Sequence, residues 1–225
     1  MRRVVVIVIL CLLFCAIYAQ DTTHKDWAKF GRYEQANLDL KKAPRAIFYG
    51  NSITDFWVNN DSVFFADNQF VDRGVSGQTT SEMLVRFRQD VINLKPKAVV
   101  IMAGINDIAH NNGMISQKNI LGNIISMAEL AKVNKIKVIL CSVLPCDRFK
   151  WRPELKPAES VKSLNVLIKR YAQDNNIPYL DYYTTMATPD GAMKPELTKD
   201  GCHPTLAGYK VMEPLALEII NKVVK

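Results

Sequence analysis

The residues best placed for chemistry lie in two short segments far apart in the sequence. Ser52 lies two residues after Gly50, and Asp200 precedes His203 by three residues. A hydroxyl nucleophile, an imidazole that removes its proton and a carboxylate that orients the imidazole are the groups that hydrolyse esters. A tight turn through Gly201 would let Asp200 accept the Nδ1 proton of His203 and leave Nε2 facing the nucleophile. These segments therefore indicate a serine nucleophile with a histidine base.

The choice of base rests on elimination, because the chain has only three histidines. We expect His24, close to the N-terminus, to be solvated at a helix start, and His110 to make an ordinary loop hydrogen bond. His203 is then the candidate base. The Ser52 segment taken alone also fits a helix cap, since serine is common at that position. Its combination with the other segments favours the nucleophile.

Strand-like and helix-like patterns alternate along the chain and place these residues. Apolar runs predict five strands, at Ala46–Tyr49, Phe70–Val71, Ala98–Met102, Ile136–Val143 and Ile177–Tyr183. Helical periodicity predicts four helices, at Ser81–Leu94, Ile120–Ala131, Ser160–Ala172 and Leu206–Val224. A further helix is predicted near the N-terminus, over Asp26–Leu40. We expect its aromatic residues, Trp27, Phe30 and Tyr33, to pack on the domain. This alternation predicts an α/β fold with a parallel sheet covered by helices on both faces. Sites in such sheets form at the carboxyl ends of the strands, where the polar segments fall.

Two further polar segments follow predicted strands. Gly77 lies in the loop after the second strand and Asn106 in the loop after the third. Backbone N–H groups and side-chain amides are the donors that hold the oxyanion formed during acyl transfer. Four loops at one sheet edge thus supply the complete set of groups that ester cleavage requires.

Together, the four segments resemble the SGNH hydrolases, also called GDSL-like esterases and lipases. The family's serine, glycine, asparagine and histidine fall on Ser52, Gly77, Asn106 and His203, and its aspartate falls on Asp200. The resemblance extends from about Ala46 to Glu213, most of the chain. Asn51 stands where the eponymous motif has aspartate, a residue that supports the turn and does no chemistry in the family.

The resemblance implies a three-layer α/β/α sandwich of flavodoxin-like type with five parallel strands. It also implies a Ser52–His203–Asp200 triad and an oxyanion hole formed by the N–H of Ser52, the N–H of Gly77 and the side-chain amide of Asn106. The absence of a Cβ at Gly77 allows the backbone to approach the substrate closely. The mechanism needs no cofactor, and the sequence contains no Cys/His cluster with metal-ligand spacing.

The N-terminus predicts a leader. Arg2 and Arg3 precede a run that is almost wholly apolar from Val4 to Ile17, and Ala19 is followed by polar residues. We predict a signal peptide over 1–19, a helical extension over 20–45 and the hydrolase domain over 46–225, in a secreted or periplasmic protein. Lipid attachment at Cys15 and retention as an anchor are the alternatives, although the apolar run is short of the roughly 20 residues of a spanning helix.

Charge and cysteine content narrow the function classes. Without the leader, 27 basic and 22 acidic residues remain, a scattered net charge of +5 that argues against nucleic-acid binding. Three cysteines also remain, Cys141, Cys146 and Cys202. A Cys141–Cys146 disulfide and buried free thiols are both compatible with this pattern. The sequence carries no signal for oligomeric state.

The substrate is the least defined part of the prediction. Arg148, Trp151 and Arg152 follow the fourth strand and should overhang the site, where a tryptophan ring can stack on a sugar and arginines can bind carboxylates. Surface packing of Trp151 with solvated charges is the competing interpretation. We predict hydrolysis of small or glycan esters, with O-acetyl carbohydrate esters favoured. The alternatives are a lysophospholipase or thioesterase activity, a non-catalytic glycan-binding module and a membrane-attached structural protein.

Overall fold

The computed structural model describes residues 26–224, so the predicted leader and His24 lie outside the described residues. The five strands are β1 (Ala46–Gly50), β2 (Phe70–Gly74), β3 (Ala98–Ile101), β4 (Lys137–Cys141) and β5 (Tyr179–Leu180). The α-helices are α1 (Glu34–Leu38), α2 (Ser52–Asn60), α3 (Ser62–Asn68), α4 (Thr80–Asp90), α5 (Ile105–Ile108), α6 (Gln117–Val133), α7 (Ala158–Asp174), α8 (Tyr182–Met186) and α9 (Leu206–Val223). Short 3₁₀ turns occur at Phe30–Arg32, Ile92–Leu94 and Pro195–Leu197.

The sheet is parallel throughout and has the strand order β2-β1-β3-β4-β5. Helices cover both sides of it: α4, α6 and α7 pack side by side along one face, whereas α2 packs against α9 and β1 on the other. The predicted three-layer α/β/α sandwich with five parallel strands is therefore confirmed. Because β1 pairs with both β2 and β3, the loops that follow these three strands are neighbours at one edge.

Aromatic residues of the hydrophobic core pack on both faces of β1, the strand that leads into Ser52. Phe48 and Tyr49 are buried and point to opposite faces, as successive strand residues do. Phe48 packs edge-on against Trp57 at 5.2 Å, and Tyr49 packs edge-on against Phe87 at 5.2 Å. Phe64 stacks on Trp57 at 5.6 Å. Aromatic packing on both faces thus fixes the strand that leads into Ser52.

Two predicted elements are wrong. The single helix over Asp26–Leu40 is replaced by a 3₁₀ turn and the five-residue α1, because Lys29 adopts a left-handed conformation (φ 59°) that a continuous helix excludes. Trp27 and Phe30 are exposed instead of packed. The predicted fifth strand, Ile177–Tyr183, shrinks to two residues because the Asp181 side chain caps α8 by accepting from the N–H of Thr184.

One further finding concerns the helices of the described region. Among residues 26–224, none combines the length and the apolar character that crossing a membrane would demand.

Candidate active site

Ser52 is the first residue of α2 and lies at the sharp turn that follows β1. Asn51, at the N-cap, accepts a hydrogen bond from the N–H of Ile53 through its side-chain oxygen, at 3.1 Å. Asparagine thus performs the turn-supporting role expected where the family motif has aspartate. Ser52 is largely buried, and its hydroxyl lies 2.9 Å from Nε2 of His203.

The imidazole and the carboxylate lie in the loop that leads into α9. Nδ1 of His203 is 2.7 Å from Oδ2 of Asp200. The other carboxylate oxygen accepts hydrogen bonds from the N–H groups of His203 at 2.8 Å and Cys202 at 2.9 Å. Gly201 holds the turn with φ 87°, a left-handed conformation that glycine adopts readily. The structure brings Ser52, His203 and Asp200 into one hydrogen-bonded row.

The surroundings of Asp200 keep its carboxylate charged. Partial burial opposes ionisation, but hydrogen bonds from the backbone N–H and the ring of His203 and from the N–H of Cys202 outweigh it, and the pKa of Asp200 falls to about 2. Thr198 stabilises the same loop by donating its hydroxyl to the His203 carbonyl at 2.8 Å. A charged carboxylate against Nδ1 fixes the tautomer whose Nε2 can accept a proton from Ser52.

Three groups with N–H donors lie in the loops that follow β1, β2 and β3: the backbone of Ser52, the backbone of Gly77 and the side chain of Asn106. Within the described residues, the backbone N–H groups of Ser52 and Gly77 donate to no protein acceptor. The Asn106 side-chain amide donates to the carbonyl of Gln78 at 2.9 Å, which leaves its second N–H available. Gly77 has φ 82°, a conformation that glycine adopts more readily than other residues. Unpaired backbone N–H groups and a side-chain amide are the kinds of donor from which an oxyanion hole is built.

A buried arginine that was not predicted from the sequence supports the loops that carry Ser52 and Gly77. Arg86 of α4 is fully buried and donates to the carbonyl of Gly50 at 3.0 Å, to Asp90 at 2.9 Å and to the side chain of Gln78. It therefore ties the end of β1 to the loop that carries Gly77. A charged residue on the buried stripe of a predicted helix was the available signal, because such a residue needs partners.

Two aspartates secure the loop after β2. Asp55 accepts from both the N–H and the hydroxyl of Ser76, the latter at 2.6 Å, so this serine, also two residues after a glycine, is engaged in a structural bond. Asp72 accepts from the N–H of Gly74 at 2.8 Å, and its other oxygen has no partner among the described residues. Burial raises the pKa of Asp72 to about 7, and the neighbouring Asp55 carboxylate adds to the effect.

The loop after β3 is anchored in a similar way. Asp107 follows Asn106 and accepts hydrogen bonds from Thr80, at 3.0 Å from its N–H and 2.7 Å from its hydroxyl. Burial raises the pKa of Asp107 to about 6, although these bonds oppose the change. The contacts join α5 to the start of α4 and hold Asn106 beside the Gly77 loop.

Two aromatic rings flank the catalytic imidazole candidate. The rings of Phe56 and Trp151 lie 5.5 and 5.9 Å from that of His203, and their side chains are 40% and 42% exposed. Trp151 therefore lies at the site, as predicted, and packs on buried Phe149 at 4.9 Å. Phe56 was not predicted from the sequence, although its position one helical turn after Ser52 places it on the same face of α2.

The two arginines in the loop between β4 and α7, Arg148 and Arg152, are each paired with an acidic residue. Arg148 contacts Asp147 at 3.0 Å and borders Gly201, whereas Arg152 lies 3.8 Å from Glu154 and 3.5 Å from the carbonyl of His110. Both guanidinium groups are partly exposed. Their charges are therefore partly compensated at the rim of the site.

The three cysteines of the described region are free, buried thiols. Cys146 donates to the carbonyl of Arg148 at 3.2 Å. Of the two arrangements compatible with the sequence, the structure has thiols and lacks the Cys141–Cys146 bridge.

A family model and a solved structure each match most of this chain. The sequence model of the GDSL-like Lipase/Acylhydrolase family matches residues 48–211. A solved structure of a GDSL-like lipase from Bacteroides thetaiotaomicron is 48% identical, with a TM-score of 0.85, and the match covers 87% of this chain and 98% of that one.

Curated relatives are more distant. The chain is 28% identical over 145 residues to a Bacillus subtilis protein named uncharacterized lipoprotein YqeF, a match that covers 62% of this chain and 56% of the relative's length. It is 22% identical over 147 residues to an acetylxylan esterase from Geobacillus stearothermophilus, covering 63% of this chain and 67% of that protein.

Proposed function

Because this chain belongs to the GDSL-like lipase/acylhydrolase family, whose members hydrolyse esters, we propose that it is a serine esterase with Ser52 as nucleophile. One observation carries the proposal: the Ser52 hydroxyl lies 2.9 Å from Nε2 of His203, whose Nδ1 lies 2.7 Å from Asp200. Nucleophile, base and orienting group thus stand within hydrogen-bond reach of one another, the geometry that this chemistry requires.

The reaction follows from these positions. His203 removes the Ser52 proton as the oxygen attacks the ester carbonyl, and Asp200 stabilises the resulting imidazolium. The N–H groups of Ser52 and Gly77 and the amide of Asn106 receive the oxyanion. His203 then protonates the departing alcohol. Water, activated by the same imidazole, releases the acyl group and restores Ser52.

Covalent labelling tests the nucleophile. An organophosphonate probe should modify wild-type protein at Ser52, and Ser52→Ala should abolish labelling. Ser76→Ala is the matched control, because Ser76 also follows a glycine by two residues but bonds to Asp55. Peptide mass spectrometry locates the adduct. Labelling of the Ser52→Ala protein at the wild-type rate would contradict the assignment.

For the substrate, we propose short acyl esters of carbohydrates, above all acetyl esters. The exposed rings of Phe56 and Trp151 beside His203 offer apolar faces on which a sugar can pack. Pairing of Arg148 and Arg152 with neighbouring acids favours a neutral sugar over an acidic one. The relationship to an acetylxylan esterase supports the same substrate class.

Two comparisons test the substrate. Hydrolysis of p-nitrophenyl acetate should exceed that of the octanoate, and Trp151→Ala should reduce kcat/KM for an acetylated oligosaccharide more than for p-nitrophenyl acetate. Only the sugar uses the remote ring contact, so binding energy is lost only there. Equal losses would make Trp151 a packing residue. A preference for lysophospholipids or thioesters would assign the enzyme to the other acylhydrolase class.

We also propose that the protein is exported. The basic and then apolar N-terminus supports a signal peptide over 1–19, and the relationship to a named lipoprotein supports lipid attachment at Cys15 as the alternative. Mass spectrometry of the protein from its native host separates them. Cleavage after Ala19 leaves Gln20 at the N-terminus, whereas lipidation leaves a modified Cys15. Detection of intact Met1 and its apolar run would refute both.

A further inference from the structure

We propose that Asn111 is a positioning residue that couples the sugar-binding wall to the oxyanion hole by holding Trp151 and Gly77 at a fixed separation. The inference rests on the proposed function, because it concerns the same site. Asn111 lies in the loop after α5, outside the four segments that carry the proposed chemistry.

The Asn111 side chain makes two hydrogen bonds in opposite directions. Its Oδ1 accepts from the indole Nε1 of Trp151 at 3.2 Å, and its Nδ2 donates to the carbonyl of Gly77 at 3.2 Å. If the amide were flipped, its NH₂ group would face the indole N–H of Trp151, and its oxygen would face the carbonyl oxygen of Gly77. The polarity of the partners therefore fixes the side-chain orientation, and only a carboxamide of this length satisfies both.

The Asn111 backbone is fixed to the oxyanion hole as well. Its N–H donates to the carbonyl of Asn106 at 3.0 Å, and the Asn106 amide donates to the carbonyl of Gln78 at 2.9 Å. Gly77 and Gln78 are consecutive, so these bonds close a ring through both proposed oxyanion loops. Within the described residues, the Gly77 carbonyl has this one hydrogen-bond donor.

Gly77 needs such a constraint more than another residue would. It stands at φ 82°, and a Cβ built there would meet no atom within 4 Å, so neighbouring side chains do not restrict its rotation. Glycine is also the residue with the widest range of accessible backbone angles. The bond from Asn111 fixes the carbonyl of Gly77, which belongs to one of the two peptide units that flank its Cα, and so narrows the backbone angles that set the direction of the Gly77 N–H.

The hydrogen bond from the indole of Trp151 to Asn111 connects sugar binding at the rim of the site to the position of Gly77. Trp151 is 42% exposed, and its ring lies 5.9 Å from that of His203, where the leaving alcohol must pass. A sugar stacked on the ring restricts the indole and, through Asn111, the Gly77 peptide. Binding of the correct alcohol therefore improves the oxyanion hole, which raises kcat as well as affinity.

Asn111→Leu tests the coupling, because leucine has nearly the shape of asparagine but neither hydrogen bond. We expect kcat for p-nitrophenyl acetate to fall about tenfold, less than the 10²–10³ of a deleted donor, since Gly77 is loosened and not removed. For an acetylated oligosaccharide, KM should rise as well. Asn112→Leu, at the exposed neighbouring position, is the matched control.

Two further variants separate the bonds. Asn111→Asp keeps the acceptor for Trp151 and loses the donor to Gly77, so it should lower kcat while KM for the sugar stays near the wild-type value. Trp151→Phe keeps a ring and loses the indole donor, so it should raise KM for the sugar. If Asn111 links the two, the losses in Asn111→Leu/Trp151→Phe are non-additive, and the double variant resembles Asn111→Leu.

The outcomes distinguish this inference from the proposed function. Wild-type protein that hydrolyses no ester would overturn the proposed function itself. Active wild-type protein with Asn111→Leu equal to Asn112→Leu, or with additive losses in the double variant, would overturn the role of Asn111 alone. Thermal unfolding of each variant accompanies the kinetics, and loss of activity explained by loss of fold in both Asn111→Leu and Asn111→Asp also counts against a positioning role.

Discussion

Substitution of Asp72 by asparagine should stabilise the protein, and the gain should grow with pH. Asp72 lies in the middle of β2, is 7% exposed and has one carboxylate oxygen without a partner among the described residues. Burial raises its pKa to about 7. Ionisation of Asp72 therefore opposes folding, whereas asparagine fits the same space without a charge and keeps an oxygen for the Gly74 N–H.

The size and sign of the stability change follow from the pKa values of Asp72 in the folded and unfolded states. In the unfolded chain an aspartate titrates near 3.9, so below about pH 4 both states are protonated and the substitution has little effect. Between pH 4 and 7 only the unfolded state loses its proton, and wild-type stability falls as pH rises. Above pH 7 the difference of about 3 pKa units, at about 1.36 kcal/mol each, amounts to up to about 4 kcal/mol.

Thermal unfolding measured from pH 4 to pH 8 tests this prediction. At roughly 2–4 °C per kcal/mol for a domain of this size, Asp72→Asn should raise Tm by roughly 8–16 °C at pH 8 and by little at pH 4. Asp67→Asn, at an exposed position of α3, is the control and should give a small shift at both pH values. A gain independent of pH, or a loss at pH 8, would refute the argument that Asp72 is protonated by burial.

Three other predictions concern the site. Asn106→Ala should lower kcat by about 10²–10³ with little change in KM, as one lost oxyanion donor does, and a loss below about threefold in steady-state kinetics would make it structural. Asp200, with a pKa of about 2, is charged at every pH at which the assay would be run, so Asp200→Asn should impair turnover of folded protein, and full activity in steady-state kinetics would mean that another group orients His203. Arg86→Met should destabilise by about 3–5 kcal/mol in denaturant titrations, because it leaves Asp90 buried without its partner, and Arg86→Met/Asp90→Leu should recover much of the loss.

The sequence predicted the architecture well because strand signals are local. β1, β3 and β4 are buried apolar runs, so their centres were identifiable and only their ends moved by one or two residues. The fifth strand failed because Asp181 initiates a helix within an apolar run. The N-terminal helix failed because aromatic spacing indicates a stripe but carries no information about the left-handed turn at Lys29.

The residues of the site also differ in whether the local sequence carries a signal for them. Ser52, His203 and Asp200 were predicted because ester hydrolysis needs these residue types and strand ends gather them at one edge. The role proposed for Asn111 was not predicted, because it depends on two partners, Gly77 and Trp151, that are 34 and 40 residues distant in the sequence. A carboxamide in a polar loop has no local pattern that distinguishes it from its solvated neighbours.

The distance of 151 positions between Ser52 and His203 in the sequence has a consequence for biosynthesis. During translation, all five strands, the nucleophile and the oxyanion donors are complete before the base emerges from the ribosome. A nascent chain that ends before residue 198 contains all five strands but neither Asp200 nor His203. Under the proposed mechanism, hydrolysis is therefore the last property that the chain acquires, and a truncated product carries an inert serine.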